Sequence, residues 1–259
     1  MTVPSLSLEE LVDKAVGRGI PAVAPWRNLL REDLPASAAR RCLVDAGLHV
    51  SSLCRGGLFT SSSRAGRAAA IEETMRAIDE AAELAAECLV MVCGPVVEKD
   101  VAGSFSMVRD GLGAVIDHAE RAGVNLGLEP LHPMMSADRS VVASLRDAHD
   151  LIVELGWPHR LGVVIDLYHV WWDRELPRYV ELLSDRILGL HVSDWVTPLT
   201  GGIASGRGMM GDGSIDIPGL VRAIPWPGFI EVEVLSDELW QRPVEDTLDL
   251  VVERFGSHV

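Results

Sequence analysis

Short apolar runs recur along this chain, each followed by a longer segment of helical periodicity, and few folds tolerate such strict alternation. The runs are Ile20–Ala24, Leu48–Leu53, Cys88–Val92, Val124–Leu128, Leu161–Ile165, Ile187–Leu190 and Phe229–Val232. Helix candidates lie between them. Ser7 with Glu10 three residues on predicts a capping box that opens one helix. Ile71, Met75, Ile78, Ala82 and Ala85 share one face over 68–86. Segments 104–121, 141–155, 174–184, 217–224 and 243–255 also fit, and Gly47, Gly123 and Gly156 stand where helices should stop. Seven strands in βα alternation, with no linker or composition break, predict an α/β fold: one (β/α)8 TIM barrel domain over 1–259. The eighth strand is expected from Thr2–Leu6, short or irregular because of Pro4. An open doubly wound sheet would need a glycine-rich phosphate turn after an early strand, and Ala24-Pro25-Trp26-Arg27-Asn28 stands there instead.

A formal charge of −15 disfavours nucleic acid and anionic membranes as partners. The four cysteines form no CxxC pair, and neither a signal peptide nor an apolar run long enough for a membrane span is evident. A cytoplasmic protein with reduced thiols is the expectation.

Four late runs end on ionisable residues: Glu129, Asp166, His191 and Glu233. In a parallel barrel all strand C-termini share one face, where active sites are built. Three carboxylates crowded there would repel one another, and a divalent cation removes that cost. Two Glu, one Asp and one His suit Mn²⁺ or Mg²⁺, and also Co²⁺, Fe²⁺ or Zn²⁺. Glu231 shares Glu233's side of its strand, and Glu233, nearer the strand end, is the favoured ligand. Asp194 is either an orienting acid or an ordinary loop acid, and His132 reads as a loop histidine.

These motifs carry a resemblance. LGLEP (126–130), DLYH (166–169), LHVSD (190–194), GRG with GDGSID (206–216) and IEVEV (230–234) resemble, in order and over nearly the whole chain, the xylose isomerase-like sugar phosphate isomerase/epimerase family. The resemblance implies one divalent metal bound by Glu129, Asp166, His191 and Glu233, with His169 and Arg207 contacting substrate oxygens. It implies isomerisation or epimerisation of a keto sugar, free or phosphorylated.

The chemistry is consistent: a metal chelating a carbonyl and its neighbouring hydroxyl stabilises an enediolate, and Glu129 and Glu233 are the expected acid/base pair. Trp26, Trp171, Trp172, Trp195 and Trp240 follow predicted strands. Of these, Trp26 and Trp172 are candidate walls for a sugar's apolar face. The glycine-rich run around Arg207 lacks the ending of a nucleotide-binding P-loop.

A metal-dependent dehydratase of an inosose- or dehydroshikimate-like ring would use the same site. A non-catalytic sugar-binding protein is a further alternative, and a zinc-cluster DNA-repair nuclease is disfavoured by charge and by the single histidine among the four. A short first strand leaves room for a partner subunit, so a dimer or tetramer is expected.

Overall fold

The computed structural model describes residues 2–30 and 34–259. Ten strands are present among them: β1 Ala22–Val23, β2 His49–Val50, β3 Leu53–Gly57, β4 Cys88–Val92, β5 Asn125–Leu128, β6 Leu161–Asp166, β7 Ile187–Val192, β8 Asp194–Trp195, β9 Arg207–Gly208 and β10 Ile230–Val232. Helices alternate with them: α1 Leu8–Gly17, α2 Ala36–Asp45, α3 Arg64–Leu84, α4 Val101–Ala122, α5 Leu145–Glu154, α6 Leu167–Val170, α7 Leu176–Leu182, α8 Gly202–Ser205, α9 Ile217–Ala223 and α10 Val244–His258.

Six strands pair in parallel in the order β10-β7-β6-β5-β4-β3. β1 and β2 pair separately in parallel, and the Cys54 amide donates to the Pro25 carbonyl at 3.4 Å, carrying the wall from β3 toward β1. The run expected as one strand at 48–53 is thus divided at Ser51–Ser52 into a part that pairs with β1 and a part that pairs with β4. This is the curved parallel wall of a TIM barrel.

The expected strand at Thr2–Leu6 does not form. Pro4 has no amide to donate, and the Ser7–Glu10 capping box commits the chain to α1 directly afterwards. Thr2 compensates in part: its Oγ1 donates to the Val232 carbonyl at 2.9 Å and accepts from the Val234 amide at 3.1 Å. A side chain there meets the edge of β10 that a strand would otherwise pair.

Two apolar layers hold the wall. Leu89 and Met91 of β4, Leu126 and Leu128 of β5, Val163 and Ile165 of β6, and Leu190 and Val192 of β7 are buried in the main core with residues of the helices. Cys88, Val90 and Val164 form a separate cluster with Cys54 and Leu188. By the two-residue period of a strand, Val164 faces the same way as Asp166, so this cluster lies under the acid end of the barrel. Gly127 makes room for it, because a Cβ there would stand 2.6 Å from the Val164 side chain. No described helix is long and apolar enough to cross a membrane.

Candidate metal centre

Strand register assembles the site. Asp166, the last residue of β6, pairs in register with His191 of β7, and Glu231 of β10 pairs with the same histidine from the other side. Glu129 and Glu233 lie one residue past their strands, yet each extends the ladder by one bond, to the carbonyls of Met91 and Val192 at 3.1 Å. Donor atoms of Glu129, Asp166, His191 and Glu233 all lie within 4.8 Å of one another. Two strands, β6 and β7, separate β5 from β10, so the two glutamates reach this point from opposite flanks.

Local folding accounts for the Asp-x-x-His spacing. Asp166 Oδ1 accepts from the Tyr168 amide at 3.0 Å and starts the single turn of α6. That turn returns His169 over Asp166, with Nε2 3.6 Å from Oδ2. Arg207 arrives through a hairpin that periodicity does not signal: after β7 the chain makes β8, loops out, and returns antiparallel as β9, with Trp195 opposite Arg207. The Arg207 guanidinium then lies 2.7 Å from Asp166 Oδ2, 3.2 Å from Glu233 Oε2 and over the Tyr168 ring.

Charge is unbalanced. Four carboxylates, Glu129, Asp166, Glu231 and Glu233, face one guanidinium and two imidazoles, His169 and His191, an excess of negative charge even with both imidazoles protonated. Both His191 nitrogens stand 3.1 Å from a carboxylate oxygen, Nδ1 from Glu129 and Nε2 from Glu231. Neither contact has hydrogen-bond alignment, so Glu129 Oε1 and both ring nitrogens are buried without a hydrogen-bond partner. Polar atoms without partners in a buried, anionic pocket are costly, and the set has the composition and spacing of a divalent-cation site. The residues therefore fit a metal.

Protonation follows the same crowding. Burial pushes Glu129 up, partly offset by His191. Burial alone would lower His191, but Glu231 and Glu129 outweigh it and hold it well above the usual imidazole value. Burial and then the neighbouring Arg207 drive His169 well below that value, so His169 is neutral. Glu233 is lowered, because Arg207 and His191 outweigh its burial.

A pH dependence follows. Raised folded-state values for His191 and Glu129 mean that their protons stabilise the metal-free protein at low pH, and that this stability is lost as pH rises through them. For His191 the loss begins above the unfolded value of about 6.5. Metal must displace the same proton. Thermal melts in chelator should therefore show the midpoint falling from about pH 6.5 upward, while metal affinity, followed by calorimetry, rises over the same window. Metal affinity independent of pH would contradict this.

Several further side chains surround the centre. Ser52 Oγ donates to Glu231 Oε2 at 3.1 Å. Glu231 thus touches His191 from the side away from Glu129, a position the period-of-two reading allowed. His132 proves more involved than a loop histidine: its amide donates to His169 Nδ1 at 3.2 Å, and its ring packs against Trp195 and Trp172. Trp172 donates to the His169 carbonyl at 2.7 Å and is partly exposed, whereas Trp26 lies by the β1–β10 gap.

Asp194 is neither a ligand nor a solvated acid. It is fully buried and accepts from the amides of Trp195, Gly211, Gly213 and Ile215 at 2.8–3.0 Å. Gly213 permits this wrap, since a Cβ there would meet the Trp195 carbonyl at 2.4 Å. Asp194 therefore pins the loop that follows Arg207. Asp194→Ala should cost about 3 kcal/mol by chemical denaturation, and Asp194→Asn less, because it keeps one acceptor. Equal stability of wild type and Asp194→Ala would refute the pinning role.

The xylose isomerase-like TIM barrel family model matches residues 12–253. The chain belongs to this family. Protein SMc04130 from Sinorhizobium meliloti 1021 is similar at 40% identity with a TM-score of 0.93, over 98% of this chain and 94% of that one. The IOLI protein, solved with a bound zinc atom, is similar at 18% identity and TM-score 0.78, over 96% and 92%. The 3-keto-D-glucoside 4-epimerase YcjR from E. coli is similar at 19% and 0.75, over 98% and 94%. At these last identities the likeness shows the fold. No curated protein matches the chain.

Proposed function

We propose that this family member is a divalent-metal-dependent isomerase or epimerase of a keto sugar, with residues 1–259 acting as one domain. The observation that carries the reading is the buried cluster of Glu129, Asp166, His191 and Glu233, in which Glu129 Oε1 and both His191 ring nitrogens have no hydrogen-bond partner. Those four residues would hold the ion through carboxylate oxygens and His191 Nδ1, and a bound cation supplies Lewis-acid polarisation of the substrate carbonyl. Glu231 stands 3.1 Å from His191 Nε2, where a carboxylate behind a metal-binding histidine is usual. A sugar epimerase and a zinc-binding protein among the similar folds support the reading.

The remaining work belongs to side chains. Glu129 and Glu233 flank the site, so one, ionised, takes up a proton from the carbon beside the carbonyl while the other, protonated, gives its own proton to the opposite face or the adjacent atom. His169 and Arg207 bind the substrate oxygen. His169 Nδ1 accepts from His132, which places its proton on Nε2, 3.1 Å from Arg207 Nη2. Two N–H groups side by side at that distance can both donate to one acceptor lying beside the pair, and a carbonyl oxygen is such an acceptor. Trp172, Trp26 and Trp195 wall the approach and limit water.

A panel of free and phosphorylated ketoses, incubated in deuterium oxide with Mn²⁺, Mg²⁺, Co²⁺ or Zn²⁺, tests the proposal. Metal-dependent deuterium incorporation beside the carbonyl with an isomer or epimer as product is expected. Loss of water from the substrate would reassign the site to a dehydratase, and binding without exchange would make the chain a sugar-binding protein.

A further inference from the structure

Tyr168 stands between Asp166 and His169, and its side chain takes no part in holding the ion. It is the largest fully buried side chain among the described residues. Three neighbours share its ring. Arg207 Cζ lies over the face, 4.6 Å from the centroid. The Trp195 ring is tilted against it at 4.9 Å, and the His169 ring meets it edge-on at 5.4 Å. The hydroxyl leaves this cluster and donates to the Ile203 carbonyl at 2.7 Å.

Ile203 lies in α8. It packs with Ala204 on Val92, Leu131 and Met135, from the end of β4 and the loop after β5. The chain reaches α8 from β8 and returns through β9, and both follow β7. Residues 201–206 therefore span the mouth of the barrel from the β7 side to the β4–β5 side. Gly201 and Gly202, at φ 81° and 87°, make the turn into α8. At the far end Ser205 Oγ donates to Asp237 Oδ2 at 2.9 Å, and the Asp237 amide donates to the Ser205 carbonyl at 3.0 Å. This roof is thus fastened to Tyr168 and to the segment after β10, and it runs directly into Arg207.

We propose that Tyr168 is a positioning residue of this site: its ring holds the Arg207 guanidinium beside His169, and its hydroxyl ties that placement to closure of residues 201–206. Asp166 and Glu233 both pull on Arg207 Nη1, at 2.7 and 3.2 Å. Those bonds alone would let the guanidinium pivot about one corner, because Arg207 Nε is buried without a hydrogen-bond partner. An electron-rich ring face against the guanidinium carbon restricts the pivot. It keeps Nη2 3.1 Å from His169 Nε2, where both N–H groups can donate to one oxygen. Segments that close over a site complete its constellation and exclude water. The benefit to substrate binding rests on the isomerase reading above, whereas the hold on Arg207 does not.

Two variants of the Zn²⁺-loaded protein separate the hydroxyl from the ring. Tyr168→Phe should speed amide exchange over residues 201–206 about tenfold or more, with zinc affinity by calorimetry unchanged. Protons over an aromatic face resonate upfield. The Arg207 Nε–H, identified by its loss in Arg207→Lys, should therefore lie upfield in wild type and in Tyr168→Phe, and at the ordinary arginine position in Tyr168→Leu. If Tyr168→Leu does not fold, nuclear Overhauser contacts between the Tyr168 ring and the Arg207 side chain, kept by the ring in Tyr168→Phe, replace that comparison. On a ketose that exchanges deuterium, Tyr168→Phe should raise KM about tenfold at nearly constant kcat, and Tyr168→Leu should lower kcat about tenfold or more. Unchanged exchange over 201–206 in Tyr168→Phe would overturn the inference, as would an Arg207 resonance at the ordinary position in wild type, absent Overhauser contacts, or a loss of kcat at constant KM in Tyr168→Phe. A sugar panel with no deuterium exchange, beside the expected amide-exchange and resonance results, would fail the isomerase reading alone and support the hold of Tyr168 on Arg207.

Discussion

Glu129→Gln and Glu233→Gln should each lower substrate deuterium exchange by about a thousandfold or more at saturating metal. Glutamine matches glutamate in size and keeps one carbonyl oxygen, so the pocket retains its shape. It cannot take a proton, and its neutral oxygen is a poorer partner for a cation. Glu231→Gln is the informative contrast. Its side chain reaches His191 Nε2 and Ser52, away from Glu129, so its loss should weaken metal affinity about 10- to 100-fold and leave exchange substantially restored once metal saturates. If Glu231→Gln abolished exchange at saturating metal while Glu233→Gln did not, the two glutamates would have exchanged roles.

Metal should stabilise the fold by a large margin. A ligand that binds the folded state alone contributes about 4 kcal/mol at a thousandfold excess over its dissociation constant. For a chain of this size that corresponds to roughly a 10 °C rise in the unfolding midpoint. The effect should be large because the metal-free site is poorly compensated. Asp166 is fully buried, and Arg207 is the guanidinium that meets it. His191→Ala should remove the metal-dependent rise, and Arg207→Met should lower the stability of the chelated protein further by leaving Asp166 and Glu233 without their cation. A midpoint indifferent to Mn²⁺, Co²⁺ and Zn²⁺ would count against the site.

The parts of this architecture legible in the sequence were those set by local periodicity. β4, β5, β6 and β7 are dry runs of nearly the expected length, and an acid or imidazole at the end of a dry strand is conspicuous because burial alone forbids it. What stayed hidden depends on tertiary contacts. The break at Ser51–Ser52 arises because two halves of one run have different partners, which no periodicity records. Asp194 looked ambiguous because its four donors come from backbone up to 21 residues away. The signal available was the glycine-rich GDGSI stretch downstream, whose amides are free to wrap a carboxylate. The part of His132 is not legible in the sequence because its contact with His169 is made by the backbone, not the ring. Thr2–Leu6 read as a strand because the count required an eighth, whereas Pro4 and the capping box at Ser7 were the stronger local facts.

The most direct test of the whole account is anomalous diffraction at the metal edge from crystals grown with Mn²⁺ or Zn²⁺. One peak is predicted, about 2.0–2.3 Å from oxygens of Glu129, Asp166 and Glu233 and from Nδ1 of His191. A metal bound elsewhere, with these four side chains still facing only one another and Arg207, would contradict it.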